Sequence, residues 1–261
     1  MPHHESSVIP RSVIPRNEES RLKTADTPEE RDSSSASLLR LLQITDSGFP
    51  TGAFAFSHGL EGLFARGVVT TERDIGEFIV VQLREGFAGI ECPAMVHSWR
   101  LARDRDLAAL IELDHLLTAL KPIPVFRNGS VRTGRRLLES AVGVLSGPML
   151  DGFRQRVGSG EASGHHAVAY GVIMEAAAID EKTAALALGA GFAGGLTAAA
   201  VRLGIIGQVA AQRLLNASHP AIAAAAARGR RTPTDDMGAF MPAIDVAGLR
   251  QPQLGGRIFA S

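Results

Sequence analysis

Apolar residues recur along most of this chain at the three-and-four spacing of helices buried along one side. In "ERDIGEFIVVQLREGFAGIE" the stripe runs Ile75, Phe78, Ile79, Leu83, Phe87 and Ile90, with Thr70 and Thr71 placed to cap its start. "SLLRLLQIT" opens the periodic region at Ser37 and stops at Asp46. "DLAALIELDHLLTALK" repeats the pattern with Leu107, Leu110, Ile111 and Leu117, and ends where "KPIPVF" brings two prolines. "SVRTGRRLLESAVGVL" reads as a further helix with Arg135 and Arg136 solvated. "SGPMLDGFRQRVGSGEASGHH" reads as a loop holding at most a helical turn at Met149 to Val157. "AVAYGVIMEAAAI", "EKTAALALGAGFAGGLTAAAVRLG" and "QVAAQRLLNASHPAIAAAAARG" read as three closely packed helices, their glycines taken up by close helix contacts. No window alternates as a strand does. The predicted class is all-α: a single compact helical bundle over residues 37–244.

The two ends break the pattern. Residues 1–36 are rich in Ser, Glu, Arg and Pro, carry "SVIPR" twice, and predict a disordered extension. The last 30 residues read as irregular, with 245–261 a flexible tail that orders on binding a partner.

Composition narrows the chemistry. Lys and Arg total 27 and balance 27 Asp and Glu, so no global field draws nucleic acid or an anionic membrane. The cluster of Arg228, Arg230 and Arg231 lacks an aromatic platform and reads as a solvated helix end. Cys92 is the single cysteine, and no signal-like N-terminus or apolar run of spanning length is evident, so a cytoplasmic protein is expected. The eight histidines form no HExxH or paired Cys/His frame. His165 and His166 are adjacent and diverge on a helix, one read as capping it and the other as solvated. With His4 in "MPHH", whose amine and backbone nitrogens suit a square-planar ion, they are weak metal candidates. Ser57 beside His58 is no triad, and no nucleophile elbow occurs. "GAGFAGG" at Gly189 lacks the strand and the GK[ST] of a phosphate loop. No catalytic or cofactor-binding residue is assigned.

One segment remains unexplained by helix packing: "DSGFPTGAFAFSHGLE", Asp46 to Glu61. Gly52 and Gly59 permit turns that other residues resist, Pro50 keeps the first helix from continuing, and Phe49, Phe54 and Phe56 exceed what a small loop core needs. It is a candidate partner surface.

That segment resembles the N-terminal signature of the urease accessory protein UreF family, D-S-x-x-P-x-G-x-F-x-x-S-x-G-L-E, matched at Asp46, Ser47, Pro50, Gly52, Phe54, Ser57, Gly59, Leu60 and Glu61. "GHHAVAYG" is similar to the family's G-H-x-x-V-x-x-G element. "AAAVRLGIIGQVAAQRLL" matches a later helix pair at Arg202, Leu203, Gly207, Gln208, Gln212 and Arg213. "DDMGAFMPAIDVAGLR" matches the late stretch at Asp235, Asp236, Pro242, Asp245 and Arg250, and Arg257, Ile258, Phe259 and Ser261 keep the family's terminal pattern. Arg127, Ser130 and Gly134 keep a central R-x-x-S-x-x-x-G, preceded by Val125 where a Glu is usual; Gln251 and Pro252 stand where His-Glu is usual. The resemblance spans Ser37 to Ser261.

It implies an all-α, non-enzymatic scaffold that dimerises, binds the accessory protein UreD (also called UreH), and recruits or modulates the GTPase UreG so that nickel reaches apo-urease. Nickel, GTP and Mg are then handled by the partner complex, with no cofactor on this chain and no nucleic-acid or membrane partner. The residues expected at partner contacts are Phe49, Phe54, Phe56, Ser57, Glu61, Arg202, Gln208, Arg213, Asp245, Arg250, Arg257 and Phe259. The competing readings are a direct nickel carrier using His3, His4, His165 and His166, and an all-α enzyme of unrecognised type.

Overall fold

In the computed structural model, most helices begin where the sequence supplies a side-chain acceptor or a proline. The structure describes residues 28–52, 56–253 and 258–260, with side chains from residue 34 onward. Helix α1 (Pro28–Thr45) precedes the signature segment, and a short α2 (Leu60–Phe64) closes it. Thr71 caps α3 (Glu72–Val81) reciprocally: its hydroxyl accepts from the Asp74 amide at 3.2 Å, and the Asp74 carboxylate accepts from the Thr71 amide at 2.9 Å. The chain runs on without a break through a π-helical segment (Gln82–Glu91) into α4 (Cys92–Arg103). Asp106 caps α5 (Leu107–Leu120), accepting from the Ala109 amide at 3.0 Å.

Pro124 then opens α6 (Pro124–Ala141), so "KPIPVF" ends one helix and starts the next. Proline in the first helical position loses no hydrogen bond, and this sets the start of α6 earlier than the periodicity predicts. Pro148 likewise opens α7 (Pro148–Ser159), a full helix where a loop is expected. Met149, Leu150, Phe153 and Val157 are its buried face, masked in sequence by Gly152 and Gly158. Helices α8 (His166–Ala176), α9 (Glu181–Arg202) and α10 (Gln208–Gly229) follow as predicted, Asp180 capping α9. Helix α11 (Pro242–Arg250) lies in the stretch expected to be irregular, where Ile244, Ala247 and Gly248 give it a buried side. The described residues contain no strand, and the fold is all-α. Residues 37–261 form one compact unit. The boundary expected at residue 36 falls inside α1, and the extension's first 27 residues lie outside the described ones.

Helix α8 is the core element. Every residue from Ala167 to Met174 is buried, so it carries no polar face. It meets α4 at backbone distance: a Cβ on Gly171 would lie 2.4 Å from the Met95 carbonyl oxygen. Ser98 on α4 donates to the Val168 carbonyl at 2.6 Å. Helices α9 and α10 pack as a hairpin against the π segment and α3. By length and composition α9 is the one described helix that qualifies to cross a membrane, but 50% of its apolar window is buried inside the bundle. The basic cluster ending α10 is partly structural. Arg230 donates to Glu181 at 2.9 Å alongside Arg100 at 2.7 Å, a latch between α4, α9 and α10, while Arg228, which donates to the Arg84 carbonyl, and Arg231 are exposed as expected.

Candidate partner-binding site

The signature segment is a sequence of tight turns. Asp46 accepts from the Gly48 amide at 2.6 Å, and the Phe49 amide donates to the Asp46 carbonyl at 3.0 Å. Gly52 and Gly59 adopt φ of 70° and 87°, the left-handed backbone anticipated for them, and His58 joins them at 52°. Gln82, on the π segment, donates to the His58 carbonyl at 2.9 Å and fixes the second turn.

The residues predicted to touch partners fall into three groups. Phe56, Ser57, Glu61 and Phe259 are buried, at 7%, 0%, 6% and 4% exposure, so their side chains serve the interior rather than a contact surface. Phe56 is sealed by Gly129 beneath it and by the Arg132 guanidinium 4.6 Å from its ring centre. Phe259 lies under the Arg202 guanidinium at 4.4 Å. Ser57 accepts from the Glu61 amide at 3.4 Å. The second group, Arg202, Gln208, Arg213 and Arg250, is exposed, Arg213 pairing with Glu72 at 3.1 Å. Phe49 and Asp245 are half-buried and line a cavity described below. Phe54 and Arg257 lie outside the described residues, as do His3 and His4.

Glu61 unites what sequence reasoning treats as two separate candidate interfaces. Its Oε2 accepts from Gln251 Nε2 at 3.0 Å, and its Oε1 accepts from the Ile258 amide at 2.6 Å. A Cβ on Gly62 would lie 3.0 Å from the Ala247 carbonyl oxygen, so α2 and α11 run nearly backbone to backbone. The signature helix is thus the floor on which the C-terminal segment rests. Above it Val246, Leu249 and Ile258 stay exposed at 39%, 55% and 51%.

The histidine pair takes neither expected role. His165 is fully buried, with Nε2 3.0 Å from Thr118 Oγ1 and Nδ1 3.1 Å from Ser130 Oγ. Ser130, not a histidine, caps α8, accepting from the His166 amide at 3.3 Å. His166 turns toward the cavity. Among the described residues no three His, Cys, Asp or Glu side chains are grouped to hold a metal. The loop ahead of the pair is bound by Asp114, which accepts from the Ser163, Gly164 and His165 amides at 2.6, 3.0 and 2.7 Å. Asp114 goes unassigned in the sequence reading, although a lone carboxylate inside the apolar run "DLAALIELDHLLTALK" is the signal that marks it.

A second polar cluster sits beside the signature segment. Lys121 donates to Glu91, and His58 and His166 share their surroundings. Burial alone would raise the Glu91 carboxyl, but the charge and hydrogen bond of Lys121 outweigh it and hold the group below its usual value. Burial pushes His58 down to about 4, with Glu91 opposing and Lys121 adding to the fall. Burial likewise pushes His165 down to about 4, against the pull of Asp114.

These two rings are neutral in the fold and become charged in the unfolded chain near pH 6.5, so below that pH the unfolded state binds more protons. Their stabilisation is complete above pH 6.5 and drains away as pH falls toward 4. Unfolding free energy from urea titrations is expected to drop by about 1.4 kcal/mol per pH unit for each ring within that window. His58→Asn, which tolerates the left-handed backbone, is expected to remove one ring's share of the slope between pH 6.5 and 5. An unchanged slope in that variant refutes the assignment.

Sequence comparison agrees with this geometry. The UreF family model matches residues 69–219. A urease accessory protein UreF of Trichodesmium erythraeum (strain IMS101) is 32% identical across 85% of this chain and 96% of its own length. Proteins of the same name from Bacillus sp. (strain TB-90) and Arthrobacter sp. (strain FB24) are 30% and 34% identical, covering 86% and 85% of this chain and 99% and 96% of their own. With matches of this extent, the chain belongs to the UreF family, urease accessory proteins that serve urease maturation and are not themselves enzymes.

Proposed function

We propose that this chain is a cytoplasmic scaffold of urease maturation that dimerises, binds a UreD-type (UreH-type) accessory protein and recruits or modulates the GTPase UreG, so that nickel is delivered to apo-urease. Nickel, GTP and Mg belong to the partner complex, and this chain contributes surface rather than a cofactor site. The observation that carries this reading is the C-terminal segment clasped onto the signature helix by Glu61, with Val246, Leu249 and Ile258 turned outward beside Arg250. Exposed aliphatic side chains on a firmly seated helix, next to a cation, have the makeup of an interface centre with a polar rim. Arg202, Gln208 and Arg213 extend a polar surface onto the α9–α10 hairpin. The nickel-carrier alternative is weakened because both ring nitrogens of His165 are within bonding distance of hydroxyls.

Size-exclusion chromatography with light scattering tests the proposal, on the chain alone and mixed with UreD-type and UreG-type proteins in the presence of GTP and nickel. A dimer alone and a larger assembly with both partners is the expected result. Leu249→Asp, on the outer side of α11, is expected to weaken UreD-type capture by about tenfold or more while leaving Tm unchanged. Failure of the wild-type chain to co-elute with either partner overturns the scaffold reading, and undiminished capture by Leu249→Asp overturns the surface.

A further inference from the structure

Helix α11 borders a cavity with a carboxylate. Met241, just ahead of the helix, and Ile244 and Asp245 in its first turn follow the i, i+3, i+4 spacing of one helix side. All three line a space of about 600 Å³, a size that holds a compact organic molecule. Asp245 is half-buried there, and among the described residues no donor or cation meets its carboxylate. Burial pushes the group up, and nothing opposes the shift. Such a carboxylate is a charge drawn out of water without a partner, and a cation in the cavity relieves it.

The rest of the wall favours the same occupant. Asp46 adds a second carboxylate, exposed, which accepts from the Gly48 amide at 2.6 Å and meets no cation among the described residues. Glu91 and Lys121 line the space too, but they pair with each other, and the His58 and His166 rings are neutral. The lining therefore carries Asp46 and Asp245 in excess. Phe49, Phe126 and Phe192, all half-buried, supply aromatic surface. Phe126 stands beside α11: a Cβ on Gly59 would lie 3.1 Å from Ile244, the neighbour of Asp245, and 3.4 Å from Phe126. The face of an aromatic ring is negative and attracts a cation. Helix α9 leaves the room. Gly191, Gly194 and Gly195 line the cavity, and a Cβ on any of them meets nothing within 4 Å, although each costs a helix interior up to about 1 kcal/mol against alanine.

We propose that this cavity is a binding site for an organic cation, an ammonium or guanidinium on a short apolar stem, with the charge at Asp245 and the stem among Phe49, Phe126 and Phe192. An anion would meet two carboxylates and a lysine that is already paired. A neutral apolar molecule would bury Asp245 further and bring it no counter-charge. A bare metal ion finds no donor set, because among the described residues no three His, Cys, Asp or Glu groups gather. The same chemistry is carried by a free amine and by a lysine or arginine side chain of a partner. The second source rests on the scaffold reading above. The site itself does not, since it draws on none of Val246, Leu249 and Ile258.

Isothermal titration calorimetry on the full chain, at pH 7 and low salt, tests the site with 2-phenylethylammonium, the neutral 2-phenylethanol and the anion 3-phenylpropanoate. One 2-phenylethylammonium per chain is expected, bound about tenfold tighter than the alcohol, with no saturable binding of the anion. Asp245→Asn keeps the shape and removes the charge, so its Tm is expected to hold while the cation weakens about tenfold and the alcohol is unchanged. Gly194→Leu fills the cavity at a helical position that favours leucine over glycine, so its Tm is expected to hold while cation and alcohol both weaken about tenfold or more. No saturable binding of the cation, or equal affinity for cation and alcohol, overturns the proposal. So does an Asp245→Asn chain that keeps the full preference for the cation. Equal binding by Gly194→Leu puts the probe outside the cavity and overturns the site. With binding established, loss of UreD-type capture at saturating probe assigns the natural cation to a partner side chain, and undiminished capture assigns it to a free amine.

Discussion

Asp114→Ala is expected to cost about 4 kcal/mol of unfolding free energy, the largest loss from any single side chain outside the apolar core. The carboxylate is fully buried and accepts from three consecutive amides, Ser163, Gly164 and His165. An orphaned buried N–H costs about 1–3 kcal/mol, and local relaxation with entry of water recovers part of the sum. The damage then spreads, because this loop sets His165 between Thr118 and Ser130 and presents the first turn of α8 to Ser130. Asp114→Asn keeps an acceptor for some of the amides but turns an NH2 toward the others, so an intermediate loss is expected. Urea titration at pH 7 measures both. A loss below about 1 kcal/mol for the alanine variant would show that the loop holds its shape without the carboxylate.

The contrast between Asp114 and the long apolar stripe shows what a sequence discloses. Ile75, Phe78, Ile79, Leu83, Phe87 and Ile90 are legible at a glance, and all are buried, because the same spacing that makes the pattern makes the face. Thr71 is legible as a cap because capping is local. The π segment is not: its hydrogen-bond register shifts by one residue without altering which side chains are apolar. Helix α7 hides because two glycines dilute its pattern. The Glu91–Lys121 pair joins positions 30 apart, and nothing local in either marks the other. The motif residues are a different case. Matching a pattern identifies Ser57, Glu61 and Phe259 as positions that matter, and the excess of phenylalanines in the segment singles out Phe56, but a residue type is as readily fixed by interior packing as by a partner. Here the structure puts these four on the inside and leaves Leu249 and Val246, which no motif marks, on the outside.

Glu61→Ala is expected to release the C-terminal segment while leaving most of the bundle folded. One carboxylate holds two points of that segment, the Gln251 side chain and the Ile258 amide, the latter 197 positions away in sequence. Hydrogen bonds to a charged group contribute about 1.5–3 kcal/mol each, so losing both shifts local opening by roughly a hundred- to ten-thousandfold. Amide exchange at Ile258 and protease cleavage after Arg250 are expected to accelerate by that factor, while exchange in the buried helix α8 barely changes. Unchanged exchange at Ile258 would mean that α11 alone seats the segment. The same geometry bears on the departure at position 251, where the family's usual His is Gln. What Glu61 requires there is a donor, and the Gln251 amide supplies one as an imidazole N–H would. Gln251→His is therefore expected to keep exchange at Ile258 within about threefold of the wild-type chain, whereas Gln251→Leu, which offers no donor and leaves one carboxylate oxygen unpaired, is expected to open the segment nearly as far as Glu61→Ala.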